Sequence, residues 1–364
     1  MTNIFTQDTV TLLKAVSAFQ TPATYLVDTF FTNKMPVAPT SHVAVEYRKG
    51  KRILAPYIVK GSRGVAVSRE VANANFYVAP MTGAKRILTV EELEMRQFGE
   101  QPVFSTLSPQ ERAAQVQAQD LLDLQSMILN RRNKMAADIL LNGVVEVKGF
   151  ADDGKTIKAD EIDFDFQNII TPSKYWNDPT ADILSDLRDA VDKIAEDSGE
   201  LPDIMVCGAN VEKYLSANEE LRNMLMISNR SNLTIASLNP QYIAPQTRYL
   251  GYINSLGLEV YSYLEKYFDD ELNQTVSFIP ANSVIIAKAK RGKQIFGAVS
   301  LVVGSGLQTY AAELVPKYLN DEINNQLSLA MYSRCILAPD EISSWVHIKT
   351  CGDSNAKVQR PVKK

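Results

Sequence analysis

Histidine and cysteine are scarce in this chain: two histidines, His42 and His347, and three cysteines, Cys207, Cys335 and Cys351, in 364 residues. With no C-x-x-C pair and so few ligands to borrow, structural zinc is not expected. An odd, widely spaced cysteine set suits buried free thiols in a reducing cytoplasm rather than a disulfide framework. No apolar run approaches the roughly 20 residues that span a bilayer. The opening MTNIFTQDTV also lacks the basic and apolar regions of a secretory signal, so the expectation is neither secretion nor a membrane partner. Charge of one sign is missing too: Lys plus Arg total 38 against 42 for Asp plus Glu, a net charge of -4. The field of the whole chain would not hold it on DNA, so any DNA contact must be local.

Catalytic motifs are equally sparse. No G-x-x-x-x-G-K-[ST] occurs, and KAKRGKQIFG lacks both its spacing and its magnesium-binding hydroxyl. VVGSGLQTY has Gly304 and Gly306 but no third glycine for a dinucleotide fingerprint. Glu91 with Glu92 and Asp269 with Asp270 are sequence neighbours whose side chains diverge, so neither pair forms an acid–base dyad. His42 begins an extended segment and His347 lies in a late strand, neither with a nucleophile in its own motif. Cys207 ends a strand just before a helix start, where thiolates can be activated, but the following Gly-Ala-Asn fits no nucleophile elbow and an inert core cysteine is the reading. The expectation is no catalysis and no cofactor. An α/β enzyme using Cys207 or His347 is the rival.

What is present is ordinary globular usage, 45% hydrophobic and 22% charged, in a chain long enough for two lobes or one lobe with extensions. Residues 1–40 scatter Phe5, Phe19, Tyr25, Phe30 and Phe31 without a sustained period and end at Pro36 and Pro39, which reads as an arm lying on other protein surface. From Val43 to Val71, β-rich runs alternate with RKGKR and KGSRG turns, as in a long extended hairpin. Arg48, Lys49, Lys51, Arg52, Lys60, Arg63 and Arg69 face only Glu46 and Glu70 there. That polarity fits a solvated face, an acidic neighbouring subunit or nucleic acid, although Tyr57 alone gives little base stacking.

The clearest element follows TLSPQERAAQ: Ser108 caps, Pro109 suits the first turn and Glu111 completes a capping box. Ala114, Leu121, Leu124, Ile128, Met135 and Ile139 recur at helical spacing until Asn142 and Gly143. The predicted helix, about 109–141, is a rod of roughly 50 Å, longer than a compact lobe needs. VVEVKGF, ADDG and KTIKADEIDFDF then predict a β-hairpin with Ile162, Phe164 and Phe166 alternating against Asp163 and Asp165. Its acids fail as a calcium loop, since Gly154 at the sixth position puts Gly149 where the first Asp must be. An α/β texture follows. A helix opened by Asp178 and Pro179 carries Ile183, Leu187, Ala190 and Ile194 to Gly199. DIMVCG is a strand, NVEKYLSANEELRNML is helical with an Asn210 cap, and LEVYSYLEKYF and SVIIAKA are strands. NQLSLAMYSRCILAPDEISSWVHI reads as strands broken at Ala338 and Pro339, before a basic end exposed or draped on the surface.

This order of parts resembles the lambda-type, E-family major capsid proteins of tailed bacteriophages across nearly the whole chain. YLVDTFFTNKMP, Tyr25 to Pro36, looks like the family's N-terminal segment, and Val43 to Gly64 looks like its extended loop. ANFYVAPMTGAKRILTVEELEMRQFGE, with Pro80 and Gly99, resembles the entry to its peripheral domain. Asp178, Asp182 and Leu184 in YWNDPTADIL resemble the entry to its axial domain, and CILAPDEISSWV, with Pro339 and Asp340, resembles its closing strand.

The resemblance implies an α+β, Hong Kong 97-like capsid fold: arm 1–40, extended loop 41–79, peripheral domain 80–170 with the spine helix and hairpin, axial α/β domain 171–319, and return strand with tail 320–364. It implies a major capsid protein forming pentamers and hexamers of an icosahedral head around double-stranded DNA, held by non-specific contact, with assembly in the host bacterial cytoplasm. An encapsulin-like compartment shell is the alternative. Implied partners are many copies of itself, scaffold and portal proteins, and a decoration protein where a head carries one. The absence of a long charged helical leader implies a separate scaffold. The seven basic loop residues are then inter-subunit contacts, and Leu121, Leu124, Ile128, Met135 and Ile139 pack the spine helix. Lys51 and Lys60 have no identifiable partner for an isopeptide crosslink, so none is assigned.

Overall fold

The computed structural model describes residues 9, 12–13, 16, 24–40, 42–47, 73–89, 109–150, 156–222, 246–269, 272–303, 306–321 and 326–351. The chain divides into two compact units, one of residues 1–46, 74–135 and 292–338, the other of residues 47–73, 136–291 and 339–364.

The first unit is built on the long strand Gln326–Pro339, whose nearly unbroken burial suits a central position. Val315–Asp321 pairs antiparallel with it from Val315↔Tyr332 to Asp321↔Gln326, and Met81–Thr89 pairs with the same stretch on its other side, from Thr89↔Gln326 to Met81↔Arg334. Alternation assigns the faces. Leu329 and Met331 point one way and pack with Leu121, Leu124, Ile128, Leu12 and Val16. Gly292–Phe296 extends the sheet and accepts the short parallel strand Asn33–Lys34.

The arm is more regular than its pattern suggests. Tyr25–Phe30 is a helix with Tyr25, Leu26, Val27 and Phe30 buried, and the Asp28 carboxylate accepts the Thr24 amide at 2.8 Å. Phe31 is then seated on Gly292, where a Cβ would stand 2.4 Å from the ring. The short period escaped the sequence reading because this helix has only 6 residues and is stabilised by packing rather than by its own length.

The long helix is Pro109–Asn142, 34 residues, or about 51 Å. It stops at Gly143, whose φ of 69° is the left-handed C-terminal conformation, with its amide donating to Ile139 O at 2.8 Å.

In the second unit a six-stranded mixed sheet runs in the order Ile169–Ile170, Trp345–Lys349, Ser283–Ala287, Ile204–Cys207, Leu258–Tyr263, Thr247–Ile253. The helix Ile183–Ser198 covers one face, placing Ile183, Leu184, Leu187, Ala190, Val191 and Ile194 against Met205, Val260, Val284, Ile286, Val346 and Ile348. Among the described residues of this unit, two hairpins stand outside this sheet: Val144–Phe150 with Thr156–Asp163, and Lys266–Asp269 with Gln274–Ser277. The first keeps Ile162, Phe164 and Phe166 buried and Asp163 and Asp165 exposed, although regular strand pairing ends at Asp163.

Several expectations need correction. The helix expected to open at Asp178 opens at Asp182, whose carboxylate accepts the Ser185 amide at 3.0 Å. Asp178 instead closes a turn on Thr180. Asn210 makes no side-chain cap; its amide donates to Asn282 Oδ1 at 2.9 Å. LEVYSYLEKYF is two strands, Leu258–Tyr263 and Lys266–Asp269, interrupted at Leu264 and Glu265. The strand expected to break at Ala338 and Pro339 continues through both, and a 3-10 turn follows at Ile342–Ser344.

Residues 292–319 group with the long strand, because Gly292–Phe296 belongs to its sheet. Residues 144–170 and Trp345–Lys349 group with the six-stranded sheet, which Trp345–Lys349 enters between Ile169–Ile170 and Ser283–Ala287.

Candidate functional site

Cys207 and His347, the residues with catalytic potential, are both buried. Cys207 ends its strand fully buried, and desolvation pushes its thiol far above the ordinary range, the reverse of activation. His347 is buried with Nδ1 2.8 Å from Leu141 O and Nε2 3.1 Å from Ser283 Oγ; burial lowers its pKa to about 4. It therefore stays neutral at ordinary pH, with both ring nitrogens occupied. His42 is exposed at the start of His42–Tyr47, Cys335 is buried with its pKa raised to about 11 by desolvation, and Cys351 lies 3.5 Å from the Tyr214 hydroxyl. Among the described residues no cluster of His, Cys, Asp and Glu could hold a metal ion, and no helix is long and apolar enough to cross a membrane.

The spine-helix residues Leu121, Leu124, Ile128, Met135 and Ile139 are all buried. The first three share the cluster under the Gln326–Pro339 strand, and the Met135 sulfur accepts the Leu337 amide at 3.4 Å. Arg48, Lys49, Lys51, Arg52, Lys60, Arg63 and Arg69 lie outside the described residues. The flanking strands His42–Tyr47 and Asn73–Val78 pair with each other, as an extended hairpin requires at its base.

The sequence reading missed a buried polar lock in the first unit. Arg132 stacks over the Phe296 ring at 4.9 Å, reaches Ser333 Oγ at 3.4 Å, and lies 3.9 Å from Glu313. Glu313 also binds Lys34 at 3.0 Å, and Gln294 donates to Phe31 O at 2.8 Å. Arg86 holds Asp120 and Asp123 of the helix at 3.0 and 2.9 Å. These groups tie the long helix and residues 31–34 to strands far away in sequence. Nothing in the helix pattern marks Arg132 as buried, since an arginine at that spacing reads as solvent-facing.

Such an arrangement ties the long helix and residues 31–34 to the sheet of the first unit. The sequence matches the phage major capsid protein E family over residues 8–350. The chain belongs to that family. No curated protein matches it in sequence. Among solved structures, a capsid protein assigned to a prophage of E. coli CFT073 is similar at 17% identity and TM-score 0.68, over 94% of this chain and 99% of that one. A phage-related protein from Bordetella bronchiseptica RB50 is similar at 10% identity and TM-score 0.53, over 94% and 96% of the two chains. The E-family chain thus has the Hong Kong 97-like capsid fold and is a structural subunit of the tailed-phage icosahedral head, which assembles from many copies of itself.

Proposed function

We propose that this capsid subunit forms the pentamers and hexamers of a head that encloses double-stranded DNA, assembled in the host cytoplasm with separate scaffold and portal proteins and without catalysis. The family match over residues 8–350 carries this reading. The unit holding most of the long helix takes the peripheral role and the unit with the six-stranded sheet the axial role. The basic loop residues Arg48, Lys49, Lys51, Arg52, Lys60, Arg63 and Arg69 contact neighbouring subunits, while Leu121, Leu124, Ile128, Met135 and Ile139 hold the spine against its sheet. Cohesion is spread over many modest contacts per subunit, so interfaces add much of the stability of the assembled state.

The experiment is electron microscopy of particles formed by the full chain with its scaffold, together with assay of nuclease-protected nucleic acid in heads from infected cells. Closed shells with five- and six-fold rings and protected double-stranded DNA are expected. Shells filled with protein cargo would instead support an encapsulin-like compartment, and a monomer under all conditions would sink both.

A further inference from the structure

The hairpin Val299–Val303 with Gly306–Tyr310 pairs with no further strand among the described residues. Alternation divides its side chains between two faces. Val299, Leu301 and Val303 pack inward with Val315, Tyr310, Ala312 and Tyr332. The outward face carries Val302, 59% exposed, directly across from Leu307, which at 74% is the most exposed large apolar side chain among the described residues. Beside that pair the Ser300 and Thr309 hydroxyls, 2.8 Å apart, satisfy each other. From Gly306 to Thr309 the second strand is exposed at every residue.

An open strand edge offers a row of backbone donors and acceptors to any other strand, and proteins ordinarily blunt it with lysine, proline or a bulge. This edge has none of them. The register from Val299↔Tyr310 to Val303↔Gly306 runs without a bulge, and the sequence from Gln294 to Ala312 contains neither a charge nor a proline, in a chain that is 22% charged. That lack of charge selects the partner. Nucleic-acid phosphates need cations, and a charged protein surface would lose hydration here without finding a counter-charge. A second copy brings the same uncharged strand, and identical strands lie side by side favourably only where no like charges face each other.

We propose that Gly306–Tyr310 pairs with the same strand of a second copy, antiparallel about a two-fold axis at Gln308, so that two hairpins form one four-stranded sheet. The contact rests on the shell-subunit reading and deepens it by naming a place where copies meet. Two-fold symmetry makes the strands antiparallel and sets Leu307 beside Thr309 of the second copy, on the face that also holds Val302. The strand backbones supply hydrogen bonds, and Leu307 and Val302 of both copies supply apolar burial. The two Leu307 residues then stand on a diagonal of roughly 7–8 Å.

The test is charge substitution at Leu307 in the full chain, read as particle yield under conditions where the unaltered chain assembles. Leu307→Lys and Leu307→Glu are each expected to lower yield about tenfold or more, since each sets like charges on that diagonal. The thermal midpoint of the unassembled subunit should stay unchanged at so exposed a position. An equal mixture of the two variants is expected to recover much of the yield, because each lysine can meet a glutamate of the other chain. Normal yield from either variant alone overturns the proposal. A mixture no better than its parents assigns Leu307 to a different surface and overturns it too. Amide hydrogen exchange is independent of charge: Gly306–Tyr310 should exchange fast in the unassembled subunit and slowly in particles. Protection already present in the unassembled subunit means that another segment of the same chain covers the edge, and the contact falls. Failure of the unaltered chain to form any particle removes the shell reading itself, whereas assembly indifferent to Leu307 removes only this contact.

Discussion

The guanidinium carbon of Arg132 stands 4.9 Å from the centroid of the Phe296 ring, in a site where the arginine side chain is 5% exposed. A cation buried under a ring face is held mainly by packing, so truncation loses the ring contact and the buried stem, while Glu313 keeps Lys34 at 3.0 Å and Ser333 keeps Glu313 O at 2.7 Å. Arg132→Ala is expected to destabilise the chain by about 2 kcal/mol, from the lost ring contact and packing, seen as a lower urea midpoint with unchanged slope. Arg132→Lys keeps the charge without the planar stack and should fall between. Equal midpoints for all three chains would show that the lock contributes nothing.

Gly143 ends the long helix at φ 69°, and a Cβ added there would stand 2.1 Å from Phe166 Cβ. Phe166 cannot withdraw easily, because its ring stacks on Trp345 at 4.9 Å and the Trp345 indole donates to Leu140 O at 3.2 Å. Gly143→Ala combines left-handed strain with overpacking and should cost about 3 kcal/mol or more. Gly149→Ala is the control, since an added Cβ meets nothing within 4 Å there. Thermal melting of both variants decides the matter, and equal losses would contradict the assigned close approach.

His347 makes stability depend on acid. The unfolded chain takes up its imidazole proton near pH 6.5, but burial keeps the folded chain from doing so until about pH 4. The unfolded state therefore binds more protons across that window, so stability rises with pH, is fully present above it and is lost as pH falls toward 4. Between about pH 7.5 and about pH 5 the loss from this group is on the order of 2 kcal/mol. His347→Gln, which cannot take up the proton, should show a shallower fall in urea midpoint over that range; parallel curves would rule out this histidine as the source.

The long helix was legible because its signals are local: Pro109 and Glu111 at the start, apolar residues three and four apart, and Asn142-Gly143 at the end. Where two local signals compete, sequence alone cannot rank them. Asp178 and Asp182 both precede the apolar stripe of Ile183–Ser198, and only the structure shows that the first closes a turn on Thr180 while the second caps the helix. The buried role of Arg132 was illegible for another reason. It depends on Phe296, Glu313 and Ser333, brought to the helix by strand pairing more than 160 residues downstream, as with residues 292–319, whose sheet partners include Asn33 and Lys34.

Charge reversal tests the basic loop, whose polarity was evident in sequence. Arg48, Arg52 and Arg63 belong to a stretch with seven cations against Glu46 and Glu70. A solvated face would tolerate reversal, because exposed charges contribute little to folding. A DNA-facing loop would still form shells but lose packaged DNA and show steep salt dependence. A loop seated on an acidic neighbour should lose assembly itself, because like charges brought together cost several kcal/mol per contact and the loss repeats at every copy. The triple change Arg48→Glu, Arg52→Glu and Arg63→Glu is therefore expected to abolish particles by electron microscopy while circular dichroism of the subunit stays unchanged. Normal shells from that variant would remove the loop from the assembly mechanism.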